Sequence, residues 1–157
     1  MTIYTSYFYM VRFMRPWEVP LSTAVWDPKW FHEFQGQDHI FIDKNGVLNG
    51  MRASMFAPDE TCRDLCRGPE TCATGDPATC MFLRNYRAQL DKIDGRKFVD
   101  YLHNLCPEMA KVVGISREPD FIFMLHEAPT NPCSERGTIQ QWFKAAGVEI
   151  KEWTKPT

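Results

Sequence analysis

No stretch of this sequence approaches the roughly 20 consecutive apolar residues that a membrane-spanning helix needs, so no membrane span is expected. Net positive charge is missing too. Eighteen Lys and Arg face 20 Asp and Glu, leaving a formal charge of −2. That excludes a chain-wide basic field for nucleic acid but is compatible with a local basic patch. Residues Met1 to Met10 hold neither a basic leader nor a small-residue cleavage site, and the expected location is cytoplasmic. Internal repeats and low-complexity tracts are absent, and so are paired Cys-x-x-Cys knuckles.

What is present suits one α/β domain over residues 1–157. The chain has 157 residues, 44% of them apolar and 13% aromatic, enough for a single core filled largely by rings. Ile3, Tyr4, Thr5, Tyr7 and Phe8 mark a first strand over residues 2–8, and Val19 to Val25 a second, stopped by Asp27-Pro28. Met10 to Met14 reads as a short helical turn between them. Residues 27–58 show no clear period; they include an apolar run at Ile40 to Ile42 and a turn at Lys44-Asn45-Gly46. Phe82 to Ile93 and Lys97 to Leu105 carry helical spacing, the first ended by Asp94-Gly95 and the second by Pro107.

The last third is the most legible. Asp120 to Leu125 is an unbroken apolar run behind its aspartate, as expected of a central parallel strand covered on both faces. Asn131-Pro132 then reads as a helix cap and first residue. Ile139, Trp142, Phe143 and Ala146 form one helical face, Gly147 suits a left-handed cap, and Val148 to Trp153 a closing strand. The expectation is a Rossmann-like three-layer domain with a mainly parallel sheet.

Four of the six cysteines, Cys62, Cys66, Cys72 and Cys80, fall in one short segment, separated by three, five and seven residues. Thiolates bind zinc at about 2.3 Å in four-cysteine sites and also hold iron–sulfur clusters. Residues 59–81 are therefore expected to form a metal-binding insertion, with zinc as the ion and an iron–sulfur cluster as the alternative. Asp59 would cap a helical turn that puts Cys62 and Cys66 on one side, while Gly68-Pro69 and Gly75-Asp76-Pro77 break the chain into loops carrying Cys72 and Cys80. The bland alternative is small core residues.

A second candidate site lies beyond the strand ending near His126. Ligands of open α/β sheets bind past the carboxyl ends of strands, where helix N-termini present unpaired N–H groups. Glu127 would move a proton or bind a ribose hydroxyl, Arg136 would hold an anion, and Cys133 would serve as nucleophile or positioning thiol, with Ser134 beside it. Thr5, Ser6 and Tyr7 end the first strand next to this place and are assigned to ligand binding. Each has a bland reading: Glu127 as a cap or ion pair, Cys133 as a packed thiol or metal ligand, Arg136 as solvated, His126 as a core histidine. Trp17, Trp26, Trp30 and Phe31, near Arg12, Arg15 and Lys29, fit core packing better than base stacking.

Several blocks carry a family resemblance. Tyr4-Thr-Ser-Tyr-Phe8, Phe56-Ala57-Pro58, the Tyr86 and Leu90 helix, Glu127-Ala-Pro129, Cys133, Arg136, Trp142-Phe143 and Glu152-Trp153 resemble elements of the prokaryotic and phage domain-of-unknown-function family numbered 488. The resemblance spans nearly the whole chain, and the four-cysteine segment would be an elaboration on it. Leu125 and His126 stand where that family often has Cys and Tyr, and its Cys-His-Arg becomes Cys133-Ser134-Glu135-Arg136. The resemblance implies a fold and a site location rather than a reaction. The functional expectation is an enzyme acting on a nucleotide, nucleobase or nucleic acid, or else a zinc-stiffened binding module for nucleic acid or protein.

Overall fold

The computed structural model describes residues 1–33, 49–63, 65 and 76–157. Its parallel sheet runs in the order β3-β4-β2-β5-β1-β6. The strands are β1 (Ile3–Tyr7), β2 (Glu18–Ser22), β3 (His32–Glu33), β4 (Asn49–Arg52), β5 (Asp120–Leu125) and β6 (Lys151–Glu152). The helices are α1 (Glu60–Arg63), α2 (Met81–Leu90), α3 (Gly95–Val113) and α4 (Arg136–Ala145). The α/β architecture with a parallel sheet expected from the sequence is what the chain adopts. No helix among the described residues is long and apolar enough to cross a membrane.

β5 sits in the middle, paired with β1 on one side and β2 on the other, and all six of its residues are buried. Its side chains alternate between two cores, as a period of two demands. Phe121, Phe123 and Leu125 join Ile3, Val19 and Leu21 under α2, α3 and α4. Phe56, Phe98, Trp142 and Phe143 fill that core with packed rings, and the Trp142 indole donates to the Leu90 carbonyl at 2.9 Å. Ile122 and Met124 face the other way, against Phe8, Val11, Phe31 and Trp153. Among the described residues that side is covered by a short 3₁₀ helix, Phe8–Phe13, which takes the place of the expected turn at Met10 to Met14.

Several boundaries differ from expectation, among them the closing strand, which is Lys151–Glu152 rather than Val148 to Trp153. β2 ends at Ser22, because the Thr23 amide and hydroxyl both donate to the Met124 carbonyl and the Ser22 hydroxyl accepts from the Ala24 amide. The Thr23 amide bond is the last rung to β5, and the local Ser22–Ala24 bond turns the chain out of the ladder. Asp94-Gly95 starts a helix rather than ending one: Asp94 accepts from the Lys97 amide as N-cap of α3. Pro107 does not stop α3, which continues to Gly114 at φ 76. The helix loses one backbone bond at the proline, yet Leu102, Cys106 and Met109 keep a continuous buried face past it.

Asp59 caps the turn of α1 as expected, accepting from the Thr61 amide at 2.9 Å. The Ile40 to Ile42 run, the Lys44-Asn45-Gly46 turn, the Gly68-Pro69 break, Cys66 and Cys72 lie outside the described residues.

Candidate functional site

β1 and β5 run side by side, with Tyr7 level with Leu125 at their carboxyl ends. The chain leaves β1 into the 3₁₀ helix over the Ile122 and Met124 face, and leaves β5 through residues 126–135 into α4 over the opposite face. Two neighbouring strands whose connections depart to opposite sides open a crevice between them.

The helix after β5 begins later than Asn131-Pro132 implies. Asn131 accepts from the Cys133 amide at 3.0 Å in a tight turn, and α4 starts at Arg136. Cys133 and Ser134 therefore precede the helix, and its first free amides point toward Ser134, whose hydroxyl accepts from the Arg136 amide at 3.2 Å. The favourable field of a helix start fades within about one turn, so it serves Ser134 and Glu135 more than Cys133.

Arg136 is buried and faces inward. Its Nε donates to Glu152 Oε2 at 2.8 Å, its Nη2 to the Glu127 carbonyl at 2.8 Å, and its Nη1 approaches the Ser134 hydroxyl at 3.5 Å. Glu152 Oε2 also accepts from Thr5 Oγ1 at 2.7 Å, and Thr5 in turn accepts from Gln140 Nε2 at 2.8 Å. One network thus ties α4, β1, β6 and the start of the 127–135 loop together. Burial pushes the Glu152 carboxyl up, against the opposing pull of Thr5 and Arg136. Glu152 Oε1 and Ser6 Oγ are buried with no hydrogen-bond partner among the described residues. The guanidinium that was expected to hold an external anion instead holds the loop.

Glu135 lies between Ser134 and Arg136, half-buried at the helix start. Burial, then the charge of Glu127, push its carboxyl up to about 7, while its own amide and Arg136 pull the other way. The same pocket of low polarity reaches Tyr86, whose phenol burial raises far above its usual range and which donates to the Phe56 carbonyl. Glu127 thus lies close enough to help hold the Glu135 carboxyl near neutrality.

On the other side of β5 the rim is aromatic. Trp26 is 81% exposed and Trp30 38%, whereas Phe31 is core. The loop bearing Trp26 is pinned: Asp27 accepts from Ser22 Oγ and pairs with Arg52 at 2.7 Å, and Arg52 also donates to the Ala24 carbonyl at 3.0 Å. His126 is exposed, its Nε2 2.7 Å from the Trp26 carbonyl and its ring 4.9 Å from Phe8. Tyr7 stacks on Tyr9 at 6.3 Å. Of the sequence-assigned ligand residues, Ser134 meets Arg136 directly, Thr5 shares Glu152 with it, Tyr7 lies on the rim, and Ser6 is buried within the sheet.

Cys62 is fully buried on α1, with its thiol 3.8 Å from Gln89 Oε1, and burial raises its pKa. Asn85 donates to the Thr61 carbonyl, so α1 lies beside the second half of α2. Cys80 occupies the opposite end of α2, as its N-cap residue. Cys80 and Gln89 stand nine positions apart, about 13 Å of helix at 1.5 Å per residue. Two thiolates on one zinc must approach within about 4 Å, given Zn–S bonds near 2.3 Å. Among the described residues no group of three or more Cys, His, Asp or Glu is placed to hold a metal.

Residues the sequence reading passed over here are Glu135, Gln140 and the Asp27–Arg52 pair. The signal for Gln140 was available: it stands four residues after Arg136 and so on the same helix face. Nothing in the spacing marks Glu135, because its raised pKa depends on walls contributed by other elements. Compared with protein-family models, with curated proteins and with solved structures, the chain finds no significant match in any of the three.

Proposed function

We propose that the chain acts on a nucleotide, nucleobase or nucleic acid at the crevice between β1 and β5, with Glu127 and Glu135 as the groups that move a proton. The observation that carries this reading is the Glu135 carboxyl, held near pKa 7 by burial and by Glu127. A carboxyl so poised gives and takes a proton with nearly equal ease at physiological pH, as general acid–base catalysis requires. Arg136 is then a positioning residue: through Glu152, Ser134 and the Glu127 carbonyl it sets the loop on which both carboxyls ride. Cys133, on the same loop, is the nucleophile or positioning thiol of this reading. The exposed faces of Trp26 and Trp30 suit a flat base. The resemblance to the family numbered 488 supports the same location, since Glu127, Cys133, Arg136 and Glu152-Trp153 carry it.

The test is a turnover screen against nucleotides, nucleosides and short oligonucleotides, followed by a pH profile of any activity found. Glu135→Gln is expected to lower kcat by about 100-fold or more and to remove the limb near pH 7. Turnover that is unchanged in Glu135→Gln and Glu127→Gln would remove the basis for this reading.

The second reading, a binding module stiffened by metal, is favoured by the exposure of Trp26 and by the cysteine segment. Here zinc would be held by Cys62, Cys66, Cys72 and Cys80, with an iron–sulfur cluster as the alternative. Cys62 is the ligand that the packing favours least, since its thiol faces Gln89. Elemental analysis and an absorption spectrum decide it. One zinc per chain, lost together with melting temperature in Cys72→Ser, supports the ion; metal-free protein with unchanged stability refutes it.

A further inference from the structure

The face of the sheet away from α2, α3 and α4, together with the amino edge of the sheet, carries four cations laid over aromatic rings. The Arg12 guanidinium sits 4.3 Å from the Tyr9 ring centre, and the Lys155 ammonium 4.0 Å from that of Phe13. Arg15 and Arg117 each lie 4.8 Å from the Trp17 ring. The groups join into one strip. Tyr7, Tyr9 and Phe13 follow one another at 6.3 and 6.0 Å. Trp153, two residues before Lys155, and Arg15 both donate to the buried carboxylate of Glu18. The strip therefore runs from Tyr7 and Tyr9 at the carboxyl edge to Trp17 at the amino edge, where the Trp17 carbonyl accepts from the first amide of β5. A strand of five residues makes that roughly 17 Å.

Two of the four cations are paired with buried carboxylates and two are not. Arg12, Arg15, Arg117 and Lys155 are exposed. The acids that face them are Glu18, buried against Arg15, and Asp120, buried beside Arg117 at 3.5 Å. Arg12 and Lys155 have no carboxylate partner among the described residues. A chain of net charge −2 has thus gathered exposed cations along one strip and interleaved them with rings, of which Tyr9 is 53% exposed. Cations alone would suit any polyanion. Rings alternating with cations suit one whose charges are spaced by flat aromatic groups, because bases stack on rings while phosphates meet the cations.

We propose that this strip binds single-stranded nucleic acid, tracking it across the sheet toward the crevice. The inference shares with the reading above only the class of partner. It needs no turnover, so a failure of one leaves the other standing.

The experiment is fluorescence anisotropy of labelled twelve-nucleotide (dT) and (rU) strands with the full chain, across a range of salt. Polyglutamate of equal charge serves as competitor. Arg12→Glu combined with Lys155→Glu is expected to weaken binding at least tenfold and to flatten the log–log salt slope by about 0.7 for each phosphate no longer neutralised. Tyr9→Ala is expected to weaken binding about tenfold through weaker stacking, with the salt slope unchanged. Lys155→Glu alone, near the C-terminus, gives an independent reading should the double variant lose its circular dichroism. Strands that bind wild type and the charge-reversed protein equally would overturn the proposal. Polyglutamate that competes on equal terms, with no loss in Tyr9→Ala, would overturn it in favour of an acidic protein partner.

Discussion

The two faces of the sheet are built by different means. Under α2, α3 and α4 the cover is thick: Phe56, Tyr86, Leu90, Ile139 and Phe143 are all fully buried. Over Ile122 and Met124 the described cover is a 3₁₀ helix with a smaller apolar cluster, and the outer rings Tyr9 and Phe13 lie under Arg12 and Lys155. The first face draws its stability from removing apolar area from water, roughly 25 cal/mol per Å². The second leaves part of its aromatic area exposed, at some cost in stability, and in doing so keeps a surface that can meet something else. The crevice lies where the two coverings part, at the ends of β1 and β5.

Truncating the centre of the thick face tests this contrast most severely. Phe56 touches four other rings, and Phe56→Ala should cost about 3–5 kcal/mol in urea unfolding. Val11→Ala on the thin face should cost about 1–2 kcal/mol. Equal losses would erase the distinction between the faces.

Glu135→Gln probes the boundary between them. The folded carboxyl titrates near 7 against an ordinary value of 4.5, so the native state holds the extra proton between those pH values. Wild-type stability should therefore fall as pH rises from about 4.5 to 7. Above that, the variant should be the more stable protein by on the order of 2 kcal/mol, with no difference near pH 4. Parallel stability curves for the two proteins would mean that Glu135 titrates normally.

Gly95 marks a close approach on the thick face. A Cβ there would meet the Ala146 Cβ at 2.8 Å and Trp142 Cζ2 at 3.4 Å. Gly95→Ala should lower stability by about 1–2 kcal/mol through overpacking, despite the better helix former. A gain in melting temperature would mean that α3 and α4 are less tightly apposed. The smallest effect belongs to the thin face: reversing the charge at Arg12 or Lys155 should change stability by less than about 0.5 kcal/mol, while reversing both weakens nucleic-acid binding at least tenfold. A large stability loss there would turn the strip into a structural feature.

Legibility along the chain followed how local the cause was. The buried run Phe121 to Leu125, the apolar face of α4, the left-handed Gly147 and the Asp59 cap were all readable, because each depends on neighbours within a few residues. Pro107 misled because packing of Leu102, Cys106 and Met109 outweighed one missing bond. Asp94-Gly95 misled because these residue types suit either end of a helix, and here Asp94 caps the start of α3. Asn131-Pro132 looked like a helix start, yet Asn131 closes a turn onto Cys133 instead.

Alternation and helical period in the chain itself were enough to specify a parallel α/β domain with β5 at its centre, since burying a continuous apolar strand on both faces leaves few other arrangements. Only the tertiary structure decided that Arg136 turns inward to Glu152, that Glu135 sits beside Glu127 in a dry wall, and that Arg12, Arg15, Arg117 and Lys155 share one surface. Electrostatic roles depend on distance and solvent, and both are set by residues brought from more than a hundred positions away, as when Thr5 meets Gln140 and Glu152.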